Sequence, residues 1–321
     1  MVTEERFFYH SFPRRGAAGL NELEKGLAIL SSIRDIGLLL VPEYIVWNQP
    51  LSNGQDRPFP ILQKRICFTE LHPSNLENHS GLFGQFSLEF SAIDARRLGA
   101  VPVFYLPQPI ERHNGNAIGV ALLAGIMDAK ALVNRLAVID SALNGDTPVA
   151  DNISINLSFN DNPELKGHYT IHSREASNFI DAVKFGITPL QDLNNVLESI
   201  LGMFYPADNL KHEILLDYYK QREWRIASSF VIDGNEVTRP LRQEERDKLL
   251  EIDSDFFGRK IESGLGEVDM LDATLALPGL GGIPLIELVR RIIVPGSVVD
   301  VVRQMLGSLS IAPNVISLDD L

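Results

Sequence analysis

The side chains of this chain that could do chemistry are a carboxylate, an imidazole and a hydroxyl that lie far apart in the sequence. They are Glu223, His10 and Thr69. A carboxylate fixed near a sugar ring stabilises the positive charge that develops when a glycosidic bond breaks. An imidazole and a hydroxyl supply the hydrogen bonds that orient such a substrate. The three can act together only if the fold brings them to one place.

Glu223 lies in the segment QREWRI, residues 221–226, whose alternation predicts a β-strand. A period of two puts Glu223 and Arg225 on one face and Trp224 and Ile226 on the other. The tryptophan and isoleucine can then pack in a core while the two charges share the opposite face. A carboxylate held on a rigid strand can accept hydrogen bonds from a sugar hydroxyl. The alternative is an ion pair on a solvated face, which contributes little to stability.

His10 and Thr69 each lie at a predicted strand end. His10 closes the aromatic run Phe7–Tyr9, where it is either a ligand-orienting donor or an edge-strand histidine satisfied by a neighbour. Thr69 follows Ile66–Phe68, and such a strand either delivers a polar side chain to a cleft or simply meets a loop. Base rates favour the structural role for Thr69. Cys67, within the same strand, is expected to pack as a small apolar residue.

Two histidine pairs raise a metal hypothesis. His72 and His79 are seven residues apart, which on a helix separates them by about 10 Å and is too far for one ion. His168 and His172 flank a Tyr-Thr-Ile segment that is predicted to be extended. Because no cysteine or carboxylate cluster completes a ligand set, we predict no metal site, and a metal-dependent hydrolase is only a third interpretation.

Composition narrows the class of partner and the compartment. The chain has 42 acidic and 29 basic residues and a net charge of −13, which disfavours nucleic acid and anionic lipid as partners. The single cysteine indicates a reducing compartment. The N-terminus has no signal-peptide pattern, and no apolar run approaches the roughly 20 residues that span a bilayer. These features predict a cytoplasmic protein without a membrane anchor.

Helices and strands are mixed along the chain without regular βαβ alternation. The spacing predicts helices over Leu20–Ile36, with Gly37 as the C-cap, and over 117–143. The Pro- and Gly-bearing segment 48–60 is expected to be a loop, and the polar segment 144–167 a surface excursion. The mixture predicts an α+β fold with a mostly antiparallel central sheet and flanking helices.

The ordered segments FYHS, ILSSIRDIGL, ICFTEL, NHSGLFGQFSLEF, GAVPVFYL, REWRI and RRIIVPGSVV resemble a known family. It is the AbiGi-type abortive phage-resistance family, described as antitoxins of bacterial abortive-infection systems. The resemblance covers residues 6–106, 221–232 and 286–318. It implies a single α+β domain over 1–321 with insertions at about 109–170 and 235–285.

More distantly, the layout resembles that of ADP-ribosyltransferases. That resemblance implies that His10 contacts the nicotinamide ribose, that Thr69 with Phe68 fills the second-strand position, and that Glu223 is the catalytic carboxylate. Gln221-Arg222-Glu223 has the Gln-X-Glu form found in such enzymes, whereas the Ser-Thr-Ser triplet is missing. The implied cofactor is NAD, with Tyr9 or Phe68 stacking on the nicotinamide. The implied cofactor contacts are Tyr9, His10, Phe68 and Arg225.

Two functions follow as expectations. The first is a bacterial phage-defence or toxin–antitoxin component with an NAD-binding, ADP-ribosyltransferase-like site. The second is a non-enzymatic antitoxin or regulatory protein that binds a protein partner, such as its cognate toxin or antitoxin. The position of three side chains distinguishes them: a shared pocket for His10, Thr69 and Glu223 favours the enzyme, and their dispersal favours the binding protein.

Overall fold

The computed structural model describes most of the chain. The described residues are 7–13, 21–50, 55–106, 117–144, 152–159, 162–184, 190–207, 222–227, 231–232, 235–263 and 266–321. They form two compact units, Met1–Leu122 with Ser199–Leu321, and Leu123–Glu198. The second unit overlaps the insertion expected at 109–170. The insertion expected at 235–285 belongs to the first unit and contributes strands to its sheet.

The helices span both units, and α4 is the longest helix in the described part. Their bounds are α1 Glu22–Ile36, α2 Leu76–Phe83, α3 Ala92–Arg97, α4 Ala117–Asn144, α5 Ser173–Lys184, α6 Leu190–Gly202, α7 Gln243–Ile252, α8 Ser254–Phe257, α9 Met270–Ala273 and α10 Val299–Leu306.

The strands vary from two to sixteen residues in length. The first ten are β1 Phe7–Phe12, β2 Leu38–Pro50, β3 Asp56–Leu71, β4 Phe86–Ser91, β5 Val101–Pro102, β6 Phe104–Leu106, β7 Asn152–Phe159, β8 Asn162–His172, β9 Phe204–Pro206 and β10 Glu223–Ala227. The remainder are β11 Val231–Ile232, β12 Asn235–Glu236, β13 Arg239–Pro240, β14 Lys260–Ser263, β15 Gly266–Asp269, β16 Leu275–Leu277, β17 Gly279–Leu280, β18 Ile283–Pro284, β19 Arg291–Val294 and β20 Asn314–Ser317.

The first unit is built on one large sheet, which in the described residues has ten strands. Its order is β13-β16-β2-β3-β1-β4-β19-β20, and β10 joins β3 to β5 off this path. All of its pairings are antiparallel except β19 with β20. With helices flanking this sheet, the predicted α+β class and mostly antiparallel arrangement are confirmed.

One face of the sheet carries the main hydrophobic core. Phe8, Phe68, Leu88 and Ile226 come from four different strands, are at most 3 % exposed, and pack in one cluster with Leu30 of α1. Burial of each such side chain contributes about 1.5–3 kcal/mol. This face therefore holds the strands in register and fixes which residues point to the other side.

Helix α1 is specified by its ends, and the sequence predicts it correctly. The Asn21 side chain accepts a hydrogen bond from the Leu23 backbone N–H and caps the first turn. Gly37 ends the helix with φ of +104°, a conformation that favours glycine, and a Cβ there would lie 2.1 Å from the Leu277 carbonyl oxygen. The predicted C-cap is therefore confirmed.

Two segments whose composition is typical of turns consist largely of strands. Most of the Pro-bearing segment 48–60 extends the β2–β3 hairpin, in which Asn48 pairs with Pro58 and Trp47 with Phe59. Much of 144–167 belongs to the β7–β8 hairpin of the second unit, where Ile153 pairs with Ile171. The loop prediction for 48–60 was wrong because cross-strand pairing over a long hairpin outweighs turn-forming composition.

Candidate functional site

The candidate site begins with a row of residues that face each other across three strands. In the register of the sheet, Thr69 of β3 pairs with Glu223 of β10 and also with Tyr9 of β1. Residues directly opposite each other in antiparallel strands point to the same face. Tyr9, Thr69 and Glu223 therefore share the face opposite the main core.

The alternation predicted for β10 is confirmed. Ile226 is fully buried, and Trp224 packs edge-on to Phe8 with ring centroids 4.9 Å apart. Glu223 and Arg225 lie together on the opposite face, where Arg225 Nε donates to Glu223 Oε1 at 2.8 Å. This pair is not solvated, because the Arg225 and Glu223 side chains are only 1 % and 10 % exposed.

The Glu223 carboxylate is engaged on both oxygens. Oε1 accepts from Arg225, and Oε2 accepts from the Tyr105 hydroxyl at 2.7 Å. Burial favours the neutral acid, but the charge of Arg225 and hydrogen bonds from Cys67, Arg225 and Tyr105 outweigh it and lower the pKa of Glu223 below its ordinary value. The side chain is therefore held as a carboxylate whose donors come from its own chain.

Arg225 is fixed in turn by an aromatic ring. Its guanidinium lies 4.5 Å from the centroid of Tyr205, and Arg65 lies 4.7 Å from the same centroid. The amide of Gln63 accepts from Arg225 Nη1 at 3.5 Å and donates to the carbonyl oxygens of Leu201 and Phe204. Arg65 also donates to Gln63 and to Glu43.

We call this group the Glu223 cluster; it consists of Gln63, Arg65, Cys67, Tyr105, Tyr205, Glu223 and Arg225. Its strands are locked to each other because β6 pairs with β9 and so places Tyr105 beside Tyr205. Buried charges need such complete hydrogen bonding. The cluster is a tightly satisfied polar network in which each charge has a partner.

Cys67 contributes a donor to this cluster and not a nucleophile. Burial, followed by the negative charge of Glu223, raises the pKa of the Cys67 thiol to about 11. A thiol of this kind stays protonated at neutral pH and is unreactive. Cys67 was expected to pack as a small apolar residue; it is instead half-buried and donates to Glu223 within a polar network.

Tyr9 belongs to a second buried network, next to the first along the row. The Tyr9 hydroxyl donates to Glu89 Oε2 at 2.7 Å, and Arg291 Nε donates to Glu89 Oε1 at 2.7 Å. Glu89 is fully buried. Burial, followed by the hydrogen bond to Glu89, raises the pKa of Tyr9 well above its ordinary value. Thr69 lies between the two networks and is 9 % exposed.

His10 and Phe68 point away from these networks. His10 pairs with Leu88 on the core face, its Nδ1 lies 3.0 Å from the Cys67 carbonyl oxygen, and its ring centroid is 6.0 Å from that of Phe68. The fold thus brings together Tyr9, Thr69, Glu223 and Arg225 but leaves His10 and Phe68 on the other side of the sheet. Gln221 of the Gln-X-Glu segment lies outside the described residues.

Six residues of these networks were not singled out from the sequence: Gln63, Arg65, Tyr105, Tyr205, Glu89 and Arg291. For Gln63 and Arg65 a signal exists, because they continue the period of two that ends at Cys67 and Thr69 in β3. A signal also exists for Glu89, because it is a charged side chain between the apolar residues Leu88 and Phe90 of β4. Tyr105, Tyr205 and Arg291 carry no such signal, since their roles depend on long-range pairing.

His72 and His79 have local roles. The ring of His72 accepts a hydrogen bond from the Ser74 backbone N–H and caps a short 3-10 turn. The ring of His79 stacks on that of Phe83, with the ring centroids 4.4 Å apart. Burial lowers the pKa of His79 to about 4. Within the described ranges, no group of three or more His, Cys, Asp or Glu side chains could hold a metal ion.

Two surface depressions lie elsewhere in the first unit. One lies between α1 and α7 and is lined by Lys25 and Lys248 among others, and one lies beside α10 and is lined by Arg303 and Val315. Neither is lined by a residue of the Glu223 cluster. Among the helices that the structure describes, none is long and apolar enough to cross a membrane.

Comparison with protein families, curated proteins and solved structures found no match to this chain.

Proposed function

We propose that this protein is a non-enzymatic, partner-binding component of a bacterial abortive-infection or toxin–antitoxin system. The resemblance of the chain to the AbiGi-type family suggests the biological setting. The observation that carries the molecular role is the state of Glu223: both carboxylate oxygens accept hydrogen bonds from its own chain, and its side chain is 10 % exposed. A carboxylate so occupied is suited to holding strands together and not to stabilising charge on a ligand.

The position of His10 supports the same proposal. An NAD site of the expected kind requires His10, Thr69 and Glu223 to contact one ligand. His10 faces the core side of the sheet with Leu88, whereas Thr69 and Glu223 face the other side. This separation of His10 from Thr69 and Glu223 favours the binding protein over the enzyme.

The chemistry of the partner follows from charge. A net charge of −13 attracts basic surfaces and repels phosphate backbones. We therefore propose a basic protein, in the role of a cognate toxin or antitoxin, as the partner of this chain.

The NAD-dependent ADP-ribosyltransferase remains a second candidate because of one specific observation. Thr69 lies directly opposite Glu223 on the neighbouring strand, so the residues that the resemblance implies as the second-strand residue and the catalytic carboxylate are adjacent. For this activity, Tyr105 or Arg225 would have to release the carboxylate when NAD binds.

A phage-infection assay with a charge-neutral double variant tests the proposal. Glu223→Gln alone leaves Arg225 buried without its counter-charge, and this confounds activity with folding. Glu223→Gln combined with Arg225→Met removes both charges and the candidate catalytic carboxylate. We expect cells that produce the wild type and cells that produce the folded double variant, each together with the cognate partner, to reduce plaque formation equally, with unchanged cellular NAD.

The opposite result favours the second candidate. If the double variant is folded but no longer protects, and the wild type depletes NAD during infection, the binding proposal is wrong. A wild-type protein that changes neither plaque formation nor host growth when it is produced together with the cognate partner would remove the phage-defence and toxin–antitoxin setting altogether.

A further inference from the structure

Helix α4 carries a heptad pattern on a face that the described residues leave largely exposed. From Gly125 onward, apolar or small residues recur at alternating intervals of four and three. The seam consists of Gly125, Ala129, Leu132, Leu136, Ile139 and Leu143. A 4-3 repeat of this type is the pattern of helices that pack side by side as a coiled coil. The spacing extends toward the start of the helix at Leu122 and Ile118, which are 53 % and 78 % exposed.

The middle of the seam is accessible. Gly125 and Ala129 are exposed, and Leu132 is 57 % exposed. A Cβ built on Gly125 would meet no atom within 4 Å, so space is open at this point of the helix. Leu136 and Ile139 are half-buried. The small residues at 125 and 129 allow the backbone of another helix to approach closely.

Two opposite charges beside the seam indicate which helix can bind to it. Asp128 and Arg135 are both exposed and occupy the same heptad position, directly before the seam residues Ala129 and Leu136. In an antiparallel pair of helices, residues at this flanking position face each other across the seam. A second copy of α4 would therefore place Asp128 of each chain against Arg135 of the other.

The charges also fix the register of such a pair. In this register Gly125 packs against Leu136 of the second chain, and Ala129 packs against its Leu132. Each small residue of the seam therefore faces a large one. A shift by one heptad in either direction instead brings Asp128 against Asp128, or Arg135 against Arg135. Like charges at these positions disfavour both shifted registers.

From this combination we infer that α4 is a homodimerisation surface on which two copies of the chain pair antiparallel about a two-fold axis near residues 130–131. A two-fold interface is self-complementary, since each contact between one residue and another occurs twice. The two Asp128–Arg135 pairs and the alternation of small and large seam residues meet this requirement. The inference does not depend on the function proposed above.

Analytical ultracentrifugation of the full chain over a series of concentrations tests this assignment. The wild type should sediment with twice the mass of one chain. Asp128→Arg and Arg135→Asp each create two like-charge contacts and should raise the dissociation constant of the dimer by about tenfold or more. The double reversal, Asp128→Arg with Arg135→Asp, restores opposite charges only in the antiparallel register and should return the mass of the dimer.

A matched pair of apolar-to-acidic substitutions separates the seam from the rest of the helix. Leu132→Asp lies in the seam and should yield a monomer, whereas Val138→Asp, at a site that is 61 % exposed and outside the seam, should leave the dimer intact. Circular dichroism and the melting temperature check that each variant is folded. A wild type that is monomeric at every concentration, a dimer that ignores Leu132→Asp, or a double reversal that fails to recover the dimer would each overturn the assignment.

Discussion

Arg225 and Glu223 stand two residues apart on the same face of β10, and the Nε of Arg225 donates to Oε1 of Glu223 at 2.8 Å. The pair lies under the ring of Tyr205 and is almost fully enclosed. An ion pair in this environment has lost its hydration and depends on the geometry of its partners. Its contribution to the protein is therefore measured best by removing one charge and then both.

Removal of one charge of the pair should cost more stability than removal of both. Glu223→Gln leaves the Arg225 guanidinium uncompensated and should lower the free energy of unfolding by about 3–5 kcal/mol. Glu223→Gln with Arg225→Met should recover a substantial part of this loss. Urea denaturation of the three proteins gives the comparison.

Glu267→Gln is the matched control for that series, because Glu267 pairs with Lys260 on the surface with both side chains 59 % exposed. This substitution should leave the free energy of unfolding almost unchanged, because solvent screens an exposed ion pair. Equal effects at positions 223 and 267 would show that the β10 pair is not the buried, coupled pair described above.

His79 should make stability depend on pH in a defined window. Its folded-state pKa, lowered by burial to about 4, lies below the ordinary value of 6.5. The unfolded chain therefore binds a proton first, and this contribution to stability is lost as the pH falls from about 6.5 toward 4. His79→Phe keeps an aromatic ring against Phe83 but cannot be protonated. Urea denaturation at several pH values should show a shallower acid limb for this variant, and parallel curves for the two proteins would refute the assignment.

Cys67 should react with a thiol reagent only when the chain unfolds. It is the single cysteine of the sequence, and burial and the nearby Glu223 raise its pKa to about 11. A colorimetric thiol assay near neutral pH should detect almost no reaction in the native protein and one thiol per chain in denaturant. Fast labelling of the native protein would mean that the Glu223 cluster is open to solvent.

Gly26 should be a site where alanine destabilises a helix. In most helices a glycine-to-alanine change stabilises by up to about 1 kcal/mol. At Gly26 of α1, a Cβ would lie 2.2 Å from Cε2 of the Phe86 ring, a buried side chain that has little room to move. Gly26→Ala should therefore lower the melting temperature.

Gly81 of α2 provides the control, because a Cβ there meets nothing within 4 Å. Gly81→Ala should maintain or raise the melting temperature. If both alanine variants are stabilised, α1 does not pack against Phe86 as closely as the structure indicates.

Local patterns predict the parts of this fold that depend on neighbouring residues. The alternation of β10 correctly separates Glu223 and Arg225 from Trp224 and Ile226, and Gly37 correctly marks the end of α1. The same rules fail for the β2–β3 hairpin, where Pro58 and Pro60 suggest a loop. Long cross-strand pairing there is a tertiary effect that residue composition does not record.

In the candidate site, too, local patterns predict some features and long-range pairing decides the others. The sequence places Glu223 and Thr69 on strands, and the sheet brings them side by side. His10 does not lie beside Thr69 and Glu223, because in β1 it is Tyr9, and not His10, that pairs with Thr69. A shift of one residue in a strand changes the face of the sheet, and only the register of the assembled strands decides it. Tyr105 reaches Glu223 across 118 residues of sequence, which local patterns do not reveal.

The most direct test of the central claim is a titration of the purified wild-type chain with NAD, with the melting temperature and the release of nicotinamide as the two readouts. A ligand that binds the folded state must raise the melting temperature. Because its own chain occupies the Glu223 carboxylate, we expect an unchanged melting temperature and no nicotinamide. A concentration-dependent rise in the melting temperature with nicotinamide release, both abolished in the folded Glu223→Gln/Arg225→Met variant, would contradict the claim.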